Sequence, residues 1–217
     1  DNIGTQVTAY FASLEALTTD EELIKAIKEG DDARLKELAT NYQGRLTDSL
    51  KVRVFIRGQE KPDSINSPTC GFACVEIARA AYDGKPAAEA LLFRSADANL
   101  TLARGIIDQN GQAIGALVAH YPFSLLKNEI ANLGIPSMYT ELRQTIDGPA
   151  VVIFSHGDRT VKQGTAQKLL RIPLSKWVIA AWTPGGVAVE EYIEPELPWL
   201  YIIMGIVVLI GGIAILV

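Results

Sequence analysis

The sequence predicts an α+β domain built on an antiparallel sheet, followed by one apolar membrane-spanning segment. Three observations support this prediction. Apolar residues recur at helical spacing within residues 5–50. Residues 51–57 alternate with a period of two, and an Asn-Gly pair joins two later strands. The last nineteen residues, 199–217, carry no charged side chain.

Composition excludes several classes of protein. The chain has 217 residues, a net charge of −5 and 48% hydrophobic residues, with a mean hydropathy of +0.17. All charged residues lie before position 197, so a soluble domain with its own core precedes an apolar tail. The acidic balance argues against nucleic acid as a partner, because such binding needs a basic face. The apolar content excludes a disordered chain.

Three helices are predicted in the first fifty residues, which we interpret as a helical entry stalk (1–50). Thr19 or Asp20 can cap the second helix, which Gly30 ends, and Asp31 or Asp32 can cap the third. The apolar stripes are Val7, Tyr10, Phe11, Leu14 and Leu17; Leu23, Ile24 and Ile27; and Leu35, Leu38, Tyr42 and Leu46.

The sheet is predicted to begin with a strand at 51–57. Val52, Val54 and Ile56 alternate there with Arg53, Phe55 and Arg57, as in a strand. A loop rich in Pro and Ser follows at 58–69, and an alanine-rich helix at 72–82. Further strands are expected near 90–94, 100–108 and 113–121. Asn110-Gly111 joins the last two in a hairpin, because this pair accepts positive φ.

The following segment is predicted to hold less regular structure. Gly134 and Pro136 split two short helices, at 125–133 and 138–146. Residues 150–154 and 159–161 are expected to form a second hairpin, and 176–182 a final strand. We therefore assign residues 51–186 to the α/β domain, with a reduced second β half.

The C-terminal tail has the length and composition of a transmembrane helix. Nineteen residues in a helix span about 28 Å, close to the ~30 Å hydrocarbon core. Trp199 and Tyr201 stand where an interfacial aromatic belt would lie. The acidic linker at 187–198 and the absence of Lys or Arg after Lys176 place the α/β domain outside the cytoplasm. We expect a further span before Asp1 and an output module after Val217.

Three segments resemble the Cache-type sensor modules, which are relatives of the PAS fold. Residues 19–54 resemble the family's entry, in which a helix runs into the first strand. Residues 100–126 resemble its central hairpin, and 149–182 an abbreviated membrane-proximal half. The resemblance implies a PAS/Cache-like sheet with a ligand between one sheet face and the helices that connect its strands. The Arg-x-Trp-Tyr element that grips a carboxylate in amino-acid-binding members is absent from the sequence.

A weaker resemblance is to the membrane-anchored N-terminal extension of some bacterial phosphomannomutase/phosphoglucomutase proteins. The Ser-His-Asn-Pro phosphoserine loop of that enzyme does not occur, and Ser155-His156-Gly157-Asp158 is only superficially similar to it. Such an enzyme would follow Val217.

The residues present do not form a catalytic constellation, so we expect no enzyme activity in this segment, no cofactor and no metal site. Ser155, His156 and Asp158 are near neighbours in a turn, whereas the members of a triad converge from separate elements. Cys70 and Cys74 can form a disulfide, remain two buried thiols or act as a redox switch.

Ligand-binding candidates are polar residues on strand faces that should be apolar. Arg104 shares a face with Leu100, Leu102 and Ile106, and an isolated buried charge there needs a partner or an anion. His120 and Tyr121 lie on opposite faces of the next strand. Arg94 ends a short strand, and Arg53 and Arg57 flank Phe55 on the first. An arginine suits a carboxylate or phosphate.

These features favour the periplasmic signal-input domain of a protein in the bacterial inner membrane. The expected partners are the lipid bilayer, a small anionic ligand and a second copy, since Gly205 and Gly212 share one face of the span. The alternative is a structural anchor or dimerisation domain that tethers a cytoplasmic enzyme without binding a ligand.

Overall fold

The computed structural model describes residues 2–93, 95–132, 137–145 and 148–185. Five α-helices and eight β-strands lie in these residues, with two short 3-10 helices at Ala81–Asp83 and Arg159–Val161. The α-helices are α1 (Asn2–Thr18), α2 (Glu21–Glu29), α3 (Asp32–Arg45), α4 (Phe72–Ala80) and α5 (Ser124–Asn132). The strands are β1 (Lys51–Ile56), β2 (Ala87–Leu91), β3 (Asn99–Ile107), β4 (Ala113–Pro122), β5 (Tyr139–Gln144), β6 (Val151–Gly157), β7 (Lys168–Arg171) and β8 (Trp177–Trp182).

The N-terminal helices begin and end at the predicted signals. Asp20 caps α2 by accepting a hydrogen bond from Glu22 N, and Gly30 ends it with φ +66°. Asp31 accepts from Arg34 N and caps α3, so Asp31 rather than Asp32 is the N-cap residue. The apolar stripes pack against the first sheet, and the helices form one wall of the core.

The first sheet has four antiparallel strands in the order β1-β4-β3-β2. Helix α1 packs on one face against β3 and β4, and α4 packs on the other face. We call these the α1 face and the α4 face. Large side chains such as Leu102, Leu117 and Tyr121 fill the α1 face, whereas the α4 face carries Ala103 and Ala116.

The second sheet has the order β6-β5-β8-β7 and departs from the prediction in three ways. Residues 139–144, predicted as part of a helix, form the strand β5. The predicted hairpin between 150–154 and 159–161 is wrong, because β6 pairs with β5 and residues 159–161 form a 3-10 helix. The second half is not reduced, since it has as many strands as the first.

Gln144 joins the two sheets through its buried side-chain amide. Its Oε1 accepts hydrogen bonds from Ala90 N and Trp177 Nε1, both at 2.6 Å. Ala90 belongs to β2 of the first sheet and Trp177 to β8 of the second. Lys176 adds an ion pair with Glu89 across the same junction, at 2.9 Å. The edge of the first sheet is thus held against the second.

The predicted linker (187–198) and transmembrane helix (199–217) lie outside the described residues. Within the described part of the chain, no helix combines the length and apolarity needed to cross a bilayer.

Candidate functional site

Polar side chains of three strands meet on the α4 face of the first sheet. Thr101 of β3 lies directly opposite His120 of β4, and Arg53 of β1 lies opposite Val118, two residues from His120. Side chains two residues apart on a strand share a face, so Arg53, Thr101 and His120 all point towards α4. All three are buried. Burial of this many polar groups on one face distinguishes it from an ordinary apolar core.

His120 is held in one tautomer by its neighbours. Its Nδ1 lies 3.1 Å from Asn99 Oδ1 and 2.9 Å from Thr101 Oγ1, whose hydroxyl donates to Asn99 Oδ1. An amide oxygen only accepts, so Nδ1 carries the proton and Nε2 presents a lone pair. Burial and the nearby charge of Arg53 lower the pKa of His120 to about 3. The imidazole is therefore neutral at physiological pH.

Cys70 and Cys74 form a disulfide beside this histidine, with their Cα atoms 5.2 Å apart. Cys74 Sγ lies 3.9 Å from His120 Nε2. Cys70 also pairs its backbone with Asp63 through two hydrogen bonds of 2.7 Å. The bridge thus fixes the start of α4 and the end of the preceding loop against β4.

Ligand atoms of Cys70, Cys74 and His120 lie within 4.8 Å of one another. Metal ions bind thiolates, and bridged sulfurs are not thiolates. In the disulfide form this cluster offers one good metal ligand, the Nε2 of His120.

Arg53 connects the polar cluster to the loop that follows β1. Its Nη2 donates to Pro68 O at 2.7 Å and to Asp63 Oδ2 at 3.2 Å. Hydrogen bonds from Asn66 and other donors hold the pKa of Asp63 below its usual range, so its carboxylate stays ionised. Burial lowers the pKa of Arg53, whose Nη1 is buried without an acceptor in the described part of the chain.

An open groove runs along the outer edge of β1. Its volume is about 580 Å³, and it lies between α3 and the loop after β1. We call it the β1 groove. Residues that line it include Lys36 and Gln43 of α3, Lys51 and Arg53 of β1, and Lys61 and Asn66 of the loop. The groove is within the size range of small-molecule sites.

The β1 groove is positively charged. Lys36, Lys51 and Lys61 have no ion-pair partner among the described residues, and the Arg53 charge is offset by Asp63. Asp32 is the other acidic residue that lines the groove. An anionic ligand would therefore find a favourable potential there.

The structure places the predicted ligand-binding residues on both faces of the first sheet. Arg104 lies on the α1 face and forms an ion pair with Glu15 of α1. Tyr121 lies on the same face, stacked on Tyr10 with the ring centroids 4.3 Å apart. His120 lies on the opposite face, so the structure does not bring these residues together. Arg94 lies outside the described residues.

Sequence reasoning singled out His120 and noted Arg53, but it missed Asn99, Thr101 and Asp63. Arg53 and His120, polar residues on predicted strands, were the available signals for the cluster. Asn99 and Thr101 join His120 only through the register of β3 with β4. Asp63 lies in a predicted loop, where an acidic residue is ordinary.

Comparisons with known proteins give no matching family model and no matching curated protein. Solved structures do match. The sensor domain of the V. cholerae histidine kinase DctB has a TM-score of 0.55 and 12% identity, over 86% of this chain and 95% of that domain. The ligand-binding domain of the Pseudomonas fluorescens chemoreceptor CtaA, in complex with L-leucine, has a TM-score of 0.53 and 14% identity, over 85% and 89%. The same domain in complex with L-isoleucine also scores 0.53.

These matches confirm the predicted α+β fold, which this chain shares with the DctB and CtaA domains. The two described sheets and their helices correspond to nearly the whole of each of these domains. No comparison supports the weaker resemblance to phosphomannomutase/phosphoglucomutase proteins.

Proposed function

We propose that this chain is an extracytoplasmic sensing domain that binds a small anionic ligand in the β1 groove. The observation that supports this most is a positively charged groove beside a buried polar cluster, in a fold shared with sensor and ligand-binding domains. Lys36, Lys51 and Lys61 attract the anion. Arg53 and the disulfide hold the adjoining loop in place.

The proposed location is the periplasmic side of the bacterial inner membrane. The uncharged residues 199–217 act as the anchor, and the acidic linker before them keeps the domain outside. A disulfide at Cys70–Cys74 persists in an oxidising compartment of this kind. Pairing with a second copy through the span completes the proposal.

The proposed signal is a ligand-dependent shift of the first sheet relative to the second. A ligand changes such an equilibrium only by binding one state more tightly. The Gln144 junction is the described contact through which movement of β2 reaches β5 and β8. The signal then passes to an output module on the cytoplasmic side.

A thermal-shift screen tests the proposal. The 217-residue chain, purified in a mild detergent, is heated with L-leucine, L-isoleucine, other small carboxylates and sugar phosphates. We expect one class of anion to raise the Tm, because a ligand that binds only the folded state stabilises it. The same anion should give a smaller shift with Lys36→Gln/Lys61→Gln.

The matched control is Lys25→Gln, which removes an exposed lysine of α2 outside the groove. An equal loss of the shift in the control would mean that net charge, not the groove, is responsible. A screen in which no anion changes the Tm would contradict the sensing function and leave the structural-anchor alternative.

A further inference from the structure

The outer edge of β1 carries backbone groups without partners. β1 pairs with β4 alone. Arg57 N donates to Ile114 O at 3.0 Å, which shows that the odd-numbered residues of β1 are the ones hydrogen-bonded to β4. Because partners alternate in an antiparallel pair, Val52 and Val54 direct their N–H and C=O groups away from β4. In the described part of the chain nothing bonds to these groups. Val54 is partly exposed whereas Val52 is buried, so the unpaired groups of Val54 are the ones open to another strand.

The β1 groove has the dimensions of an added strand. Residues 52–56 extend over about 16 Å at ~3.3 Å per residue, which matches an extended segment of about five residues. Helix α3 bounds one side of this space and the loop at 59–66 bounds the other. A peptide lying along β1 would have side chains alternately towards α3 and towards the loop.

The positive charge of the β1 groove favours an acidic peptide over a second copy of this chain at this edge. Lys36 projects from α3, Lys51 lies at the start of β1, and Lys61 lies in the loop, so lysines stand on both sides of an added strand. Two copies of this chain paired through β1 would bring these lysines together, and the repulsion would oppose that dimer. An acidic segment instead meets a lysine on either side.

We propose that the β1 groove binds an extended acidic peptide, which adds to the first sheet as a fifth strand next to β1. This inference rests on the proposed function, because it names the ligand class of the same groove. The peptide backbone bonds to Val54, and its carboxylates approach Lys36 and Lys61. Main-chain bonds supply affinity in this mode of recognition, and the alternating side chains supply specificity.

The test uses a fluorescent pentapeptide with the sequence Glu-Glu-Val-Glu-Glu, acetylated and amidated at its ends, which places glutamates on both sides of the added strand. Its anisotropy is titrated with the 217-residue chain in detergent. We expect saturable binding that weakens as salt is added. Methylation of the peptide nitrogens that face β1 should abolish binding, because it removes the strand hydrogen bonds and leaves the carboxylates unchanged. Lysine in place of glutamate should also abolish it.

Two variants test the site on the protein side. Reversing both groove charges in Lys36→Glu/Lys61→Glu should weaken binding at least about tenfold, whereas Lys25→Glu should leave it unchanged. Val54→Pro removes an outward N–H and keeps the ladder with β4, because proline is tolerated at such edge positions. Circular dichroism checks that this variant is folded.

Each possible result of these experiments either supports or overturns the inference. Equal binding of the methylated peptide, or full binding to Lys36→Glu/Lys61→Glu, overturns the inference. Concentration-dependent dimerisation that Val54→Pro abolishes also overturns it, in favour of a second copy at this edge. A Tm shift with a small carboxylate, without peptide binding, overturns strand addition and leaves the sensing function standing. The absence of both responses contradicts the two proposals together.

Discussion

The two faces of the first sheet are both buried, but they are built from different side chains. On the α1 face, Leu102, Leu117 and Tyr121 pack against the apolar stripe of α1. On the α4 face, the backbone packs so closely that a Cβ added at Gly105 would lie 2.4 Å from Ala81 O. The polar cluster and the disulfide lie only on this second face.

The difference separates the residues that stabilise the fold from those that shape the β1 groove. Long side chains on the α1 face bury the most apolar area and provide most of the stability. Short side chains on the α4 face leave hydrogen bonds and the disulfide to fix the loop beside the β1 groove. A rigid, pre-formed wall of that kind reduces the entropy lost when a ligand binds.

The largest expected effect comes from two neighbouring residues of β4 that point to opposite faces. Leu117→Ala should lower the free energy of unfolding by about 2–5 kcal/mol, because it leaves a cavity on the α1 face. Ala116→Leu should lower it by about 1–3 kcal/mol, because the α4 face lacks room for the larger side chain. Both wild-type side chains are fully buried. Urea unfolding gives both values. An Ala116→Leu variant with an unchanged free energy of unfolding would show that there is free space under α4. It would contradict the difference in packing between the two faces.

A second expected effect is a pH dependence that originates on the α4 face. The pKa of His120 is about 3 in the folded chain, below its unfolded value of about 6.5. The folded state therefore binds fewer protons than the unfolded state within this range, and stability falls as the pH is lowered. Between about pH 6 and 4 the loss should approach ~1.4 kcal/mol per unit.

Urea unfolding across this pH range checks the slope. His120→Gln should show a shallower dependence than the wild type, whatever its stability at neutral pH. His156→Gln, which changes an exposed histidine, is the matched control. Identical slopes for wild type and His120→Gln would rule out His120 as the source.

Much of the first half of the fold could be predicted from local signals. Asp20, Gly30 and Asp31 set the helix ends, and Asn110-Gly111 sets the β3–β4 hairpin. The second sheet was harder because β5 is a central strand buried on both faces and does not alternate. Its residues Glu141 to Gln144 are good helix formers, and pairing with β6 and β8 overrides that preference.

The polar cluster could not be predicted, because it depends on a β-bulge. Asp108 N donates to Gln112 O, and extending that register would place His120 opposite Leu100. A shift between Ile106 and Ile107 places His120 opposite Thr101 instead. One extra residue thus brings the histidine to the same face as Thr101 and Asn99. No local sequence pattern in the hairpin predicts this register shift.

A third expected effect concerns the disulfide of the α4 face. Cys70→Ala/Cys74→Ala should lower the free energy of unfolding by about 2 kcal/mol, the entropic estimate for so short a loop. A thiol reductant should destabilise the wild type and leave the variant unchanged. If the variant is as stable as the wild type, the hydrogen bonds of Asp63 and Arg53 alone are sufficient to fix the loop.

The smallest expected effect on stability is that of Arg104, and it discriminates between the two faces as ligand sites. Its partner Glu15 is more than half exposed, so Arg104→Ala should lower the free energy of unfolding by under about 1 kcal/mol. If the ligand occupies the β1 groove, the ligand-induced Tm shift should survive this substitution. Loss of the shift in Arg104→Ala, with full retention in Lys36→Gln/Lys61→Gln, would place the ligand on the α1 face beside Tyr121. Both shifts come from the same thermal-shift measurement, so the two faces are compared directly.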